Sequence, residues 1–174
     1  MNTTIKRLKP LSPDEWPAEL AEIRQRLGQP LNIHSVMAHH AELLQAWMPY
    51  RYHIVRDSSL SPRYRELLVL RTAVNCRADY EWQQHVVRGR EAGLSDQEIE
   101  RVKDGPAAEG WALAEAALLY AADDCNRDAK ISDDTYRALV NHFDERQLLD
   151  IISTVGVYMT IAVMVNTFDV PMEK

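Results

Sequence analysis

The chain has 174 residues, a length that fits one domain, with 46% apolar residues and a formal net charge of −6. That charge lacks the basic footprint of nucleic-acid binding, so no nucleic-acid partner is expected. Two cysteines, Cys76 and Cys125, do not make a disulfide framework, and Met1–Lys9 lacks the apolar core of a secretory leader, which together suggest a reduced, cytoplasmic protein.

Helix start and stop signals divide the chain with little left over. Ser12-Pro13-Asp14-Glu15 reads as a capping box with proline at the first helical position, opening a helix to about Leu27 that Gly28 and Pro30 close. A second helical pattern covers about Ile33 to Tyr52, with a break suggested near Pro49. Ser61-Pro62 starts a third helix, through Glu66 to about Asn75. Asp79 is placed as the cap of a fourth, which Gly93 ends as a left-handed glycine. Ser95-Asp96-Gln97-Glu98 is another capping box, for a short helix to about Lys103.

After the Gly105-Pro106 break, Trp111 to about Asn126 reads as helix, with Leu113, Ala117, Leu118, Ala121 and Ala122 on one stripe. Ser132 or Asp133 begins the next, to about Phe143. Asp144-Glu145-Arg146-Gln147 caps the last, to about Asn166. No segment alternates with period two, so no sheet is expected. Within the last helix Ile151–Val165 is membrane-like but shorter than the ~20 apolar residues of a span, and it carries Ser153, Thr154, Gly156 and Thr160, so no membrane partner is expected. That helix is apolar nearly all round. It should lie at the centre of the core or against another chain, which predicts a homo-oligomer.

The chemistry concentrates between Glu66 and His85. Glu81 and His85 are four apart and share a helix face, and histidine titrates near neutral pH, so the pair suits acid–base work. Glu66 interrupts an apolar run and would orient His85 or accept a proton. Cys76 stands beside Arg77 at a helix end, where a cation can activate a thiol. Tyr80 and Trp82 would pack or wall a substrate pocket, and Tyr158 in the last helix could turn a hydroxyl toward the site. Arg71 and Arg77 are the sequence-local cations for an acidic substrate. His34, His39, His40, His53 and His142 show no recognised ligand spacing, and the adjacent His39 and His40 point about 100° apart on a helix, so neither a metal nor another cofactor is expected.

The central block resembles the carboxymuconolactone decarboxylase and AhpD-like alkylhydroperoxidase family. The resemblance rests on Leu60-Ser61 with Arg65-Glu66-Leu67, then Tyr80-Glu81-Trp82 with His85, then Ala92-Gly93-Leu94-Ser95 and Glu98-Ile99, with weaker matches at Ala38-His39-His40, Glu115–Leu119 and Gly156-Val157-Tyr158. It covers residues 38–125 best, within one domain spanning 1–174. It implies an all-α, AhpD-like bundle of about seven to eight helices, assembled as trimers or hexamers, with the site between helices near a subunit contact.

The peroxidase branch of that family carries Cys-x-x-Cys between its glutamate and histidine. Here the two cysteine positions fall on Ala78 and Glu81, so both thiols of the redox pair are missing. The decarboxylase branch also lacks the pair and keeps a glutamate–histidine spacing like Glu81 to His85. Three readings follow. The first is a cofactor-independent enzyme doing decarboxylase, isomerase or lactone chemistry on a small organic acid, with His85 as the acid–base residue and Glu66 and Glu81 positioning it. The second is a hydroperoxide reductase using Cys76 alone. The third is a non-catalytic oligomeric binding protein.

Overall fold

The computed structural model describes residues 6–173; Met1–Ile5, the start of the stretch read above as lacking a leader core, lie outside them. All regular structure among the described residues is helical: α1 Ala21–Leu27, α2 Asn32–Met37, α3 Ala41–Tyr52, α4 Pro62–Asn75, α5 Asp79–Glu91, α6 Asp96–Asp104, α7 Leu113–Asp128, α8 Asp133–Val140 and α9 Glu145–Phe168. Local signals place most of these boundaries. Ser61 Oγ accepts from the Tyr64 amide at the start of α4. Ser95 and Glu98 form the capping box of α6, and Asp144 and Gln147 that of α9.

Among the described residues nine α-helices stand where seven or eight helices were expected, because the pattern from Ile33 to Tyr52 breaks at Ala38–His40 and not at Pro49. His40 is non-helical and its Nδ1 accepts the Leu43 amide, capping α3. Pro49 is carried inside α3, and the chain then widens into a π-helical turn over His53–Asp57 that no sequence signal announced. The first predicted helix is also broken: Pro13–Glu15 and Ala18–Leu20 are single 3₁₀ turns separated at Trp16-Pro17, and the α-helix begins only at Ala21. Leu113, placed on the buried stripe of α7, is 79% exposed at the helix start, whereas Ala117, Leu118, Ala121 and Ala122 are buried.

The central helix is α4, against which α5, α6, α7 and α9 all pack. Successive residues on a helix point about 100° apart. Leu68 therefore enters one apolar cluster with Leu118, Leu139 and Ile151; Val69 enters a second with Leu44, Tyr158 and Ile161; Leu67 and Leu70 enter a third with Ile99, Val102 and Leu119. The last helix, expected either at the centre of the core or against another chain, buries Ile151 and Val155 in the first cluster and Tyr158 and Ile161 in the second. By length and composition α9 could cross a membrane, yet half of its apolar window is buried inside the fold. Leu149, Ile152 and Val163 remain exposed on its outer face.

One glycine sets how closely α5 approaches α4. A Cβ at Gly89 would lie 3.3 Å from Leu94 Cδ1 and 3.4 Å from Leu70 Cδ1. Gly89→Val should therefore push the helices apart and lower stability by about 1–3 kcal/mol, as overpacking generally does. Denaturant unfolding of the variant checks this, and a stability equal to the parent's contradicts it.

Candidate active site

Helices α4 and α5 run antiparallel through the short turn Cys76–Ala78, in which Arg77 adopts left-handed φ 53°. Asp79 is the first residue of α5, and neither it nor Ala78 caps the helix through a side chain, so the expected Asp79 cap is not formed. Four residues apart on the inward face of α5, Glu81 and His85 are both buried and meet buried Glu66 from α4.

His85 Nδ1 lies 2.5 Å from Glu66 Oε2, and its Nε2 lies 2.9 Å from Arg88 Nη1. A guanidinium only donates, so Nε2 must accept and Nδ1 must carry the proton, donating to Glu66. Geometry thus selects the neutral Nδ1–H tautomer. Glu81 Oε2 stands 3.7 Å from the same Nε2. The Tyr158 ring packs edge-on against the imidazole with centroids 4.9 Å apart.

Three acid–base groups share one buried site, and their surroundings drive them apart. Burial pushes His85 down; the Glu66 hydrogen bond and charge oppose this, Arg88 and Arg65 reinforce it, and the net is a lowered value that keeps the ring neutral. Burial pushes Glu66 up, but the hydrogen bond from His85, with the charges of Arg65 and Arg88, holds it below its usual range. Burial lifts Glu81 to about 7 against the pull of Arg88 and Arg51, aided by Glu173 and Glu66. Glu66 is therefore ionised at neutral pH while Glu81 is shared between its two forms. Tyr158 is raised by burial first and then by Glu81 and Glu66, so its hydroxyl stays protonated.

The other candidates lie elsewhere. Cys76 follows Glu66 by ten residues, a rise of about 15 Å along α4. Its half-buried sulfur accepts from Asn126 Nδ2 at 3.2 Å, and burial raises its pKa, opposite to the shift that activates a thiol. Trp82 lines a cleft of about 410 Å³ with Arg77 and Lys103, one that His85 does not line, and Lys103 Nζ lies 4.7 Å from its ring centroid. Tyr80 turns its hydroxyl to Glu173, whose carboxylate also receives Gln84 and the Asn32 amide. Arg71, considered for substrate, is held by both oxygens of Asp123 at 2.6 and 2.9 Å and by the Val102 carbonyl, tying α4 to α7 and α6.

Sequence reasoning missed Arg88 and Arg51. Arg88 lies one turn beyond His85 on α5, so the same three-to-four spacing that paired Glu81 with His85 would have found it. Arg51 comes from α3, and nothing in the order of residues brings its charge to bear on Glu81. The two arginines also act on His34, which burial pushes down to about 3 with Arg51 and Arg88 adding to the effect. His34 Nδ1 accepts the Leu31 amide at the start of α2. His39 bonds the Lys9 carbonyl and His40 caps α3.

The model of the carboxymuconolactone decarboxylase family matches residues 41–123, a stretch containing α3 to the middle of α7 and all of Glu66, Glu81, His85 and Arg88. No curated protein matches the chain. Among solved structures, an uncharacterized peroxidase-related protein from Silicibacter sp. TM1040 superposes with a TM-score of 0.80 at 18% identity, over 99% of this chain and 96% of that one. An alkylhydroperoxidase AhpD core, a peroxidase-related protein from Ralstonia eutropha JMP134, gives 0.77 at 17% identity, over 98% and 95%. A cysteine-to-alanine variant of the debrominase Bmp8, in complex with 2,3,4-tribromopyrrole, gives 0.81 at 14% identity, over 98% and 93%. At these identities the likeness establishes a shared AhpD-like fold.

Proposed function

We propose that this chain, whose residues 41–123 match the carboxymuconolactone decarboxylase family model, is a member of that family and an acid–base enzyme acting on a small organic acid or lactone, with His85 as its base. The observation that carries this reading is the buried Glu66–His85 pair, which presents a neutral imidazole whose basic nitrogen is Nε2. Glu66 fixes the tautomer and would stabilise the imidazolium formed when Nε2 takes a proton from substrate carbon. Glu81 beside it, with a pKa of about 7, supplies a proton to the carbon left electron-rich by deprotonation or by loss of CO₂. Two carboxylates pushed in opposite directions around one histidine give an acid and a base at the same pH.

Hydroperoxide reduction through Cys76 has less support, because the thiol lies about 15 Å along α4 from Glu66 and burial raises its pKa. In the acid–base reading, kcat/KM should follow a bell-shaped pH profile. Its acid limb reflects the His85–Glu66 pair titrating below the usual histidine value, and its alkaline limb reflects Glu81 near pH 7. A panel of small lactones and carboxylic acids, carboxymuconolactone among them, assayed in D₂O for deuterium incorporation or CO₂ release, tests the reading. Sustained peroxide turnover that disappears in Cys76→Ser, with no exchange on any acid, would overturn it.

A further inference from the structure

Beside the dyad, α4, α5 and the π-helical turn enclose a pocket of about 320 Å³ in which Val55, Arg65, Glu66, Arg88 and Glu91 meet. Its two cations are poorly satisfied. Arg65 Nε is buried and has no hydrogen-bond partner; its nearest carboxylate oxygen, Glu66 Oε1, is 3.6 Å away. The other oxygen of Glu66 is taken by His85. Arg88 donates to the neutral imidazole, and among the described residues no carboxylate lies within ion-pair distance of it. A buried donor without an acceptor costs free energy unless a ligand completes it. A planar carboxylate matches the fork of a guanidinium.

Arg88 also occupies the position a base must keep free. While its Nη1 is bonded to His85 Nε2, that nitrogen cannot take a proton from substrate. We propose that this pocket binds a small carboxylate between Arg65 and Arg88, and that the bound carboxylate draws Arg88 off His85 Nε2. A substrate's own carboxyl group would thereby uncover the base that acts on it. Glu91 on the exposed rim adds one opposing charge, and Glu66 is committed to His85. The proposal names the substrate class for the acid–base reading and rests on it.

Succinate, titrated into protein carrying ¹⁵N-labelled histidine in low-chloride buffer, is the probe. Saturable binding should move the His85 Nε2 resonance as its Arg88 donor leaves. Succinamide, the same length without charge, should leave it in place. Arg65→Gln and Arg88→Gln should each weaken succinate binding by about tenfold or more, and Arg65→Lys and Arg88→Lys, which keep the charge, should recover part of it. Circular dichroism of all four identifies any that fail to fold. The proposal is overturned if succinate does not bind, binds without moving Nε2, or binds the folded glutamine variants as well as the parent. Binding that passes these tests, with no proton exchange on any acid, leaves the anion site standing and removes the catalytic reading. Turnover that needs His85 but keeps its KM in both glutamine variants does the reverse.

Discussion

His85→Asn should lower turnover of a substrate acid or lactone by about 10²–10⁴-fold while leaving the helical circular dichroism unchanged, because positioned proton transfer contributes about that much. The asparagine amide can still donate to Glu66 where Nδ1–H does now, so the buried carboxylate keeps a partner. Lost is the basic nitrogen. Glu66→Gln should cut turnover by a similar factor for a different reason. A glutamine amide can donate to Nδ1, which moves the ring proton to Nε2 and removes the base, much as tautomer reversal does in other histidine–carboxylate pairs. Steady-state rates of both variants decide the matter. Unchanged turnover in folded His85→Asn would eliminate His85 as the acid–base residue.

The second large effect concerns stability. Glu81 is held at about 7 in the fold against an ordinary value of 4.5, with burial as the main cause. The folded state therefore binds a proton that the unfolded chain releases between those two values. Stability from this group is fully present below pH 4.5, falls as pH rises, and is gone once Glu81 ionises above about 7. At 1.36 kcal/mol per unit the loss is about 3 kcal/mol. Glu81→Gln cannot ionise, so it should be the more stable protein at pH 8 by up to about that amount and should lose the advantage toward pH 4.5. The comparison must be a difference between the two proteins, because His85 and Glu66, both lowered, add slopes of the opposite sign. Thermal melts of the pair across pH measure it. A difference that does not vary with pH would mean that Glu81 titrates normally.

Much of the molecule is legible in its sequence because the signals are local. Serine, proline and aspartate caps act within one turn, so Ser61-Pro62, Ser95–Glu98 and Asp144–Gln147 mark α4, α6 and α9 within a residue or so. The Glu81–His85 contact follows from helical periodicity alone. Where a signal was ambiguous, tertiary context won. Pro49 was accommodated inside α3, while His40, with no strong stop signal, ended one helix and capped the next.

What the order of residues determined was an all-helical chain, the limits of most helices, and one helix face bearing Glu81 and His85. Tertiary structure alone decided that α4 and not the more apolar α9 is central, because Leu67, Leu68 and Val69 must reach three clusters at once. It also decided that Arg88 covers Nε2, with Arg51 acting from α3, and that the Glu66–His85 contact suggested by the sequence is buried in a site that Cys76 does not join. Those relations depend on how far one helix slides along another and how deeply each group is buried. Both are set by packing across the whole core, where a side chain's charge state follows from its surroundings and not from its neighbours in sequence.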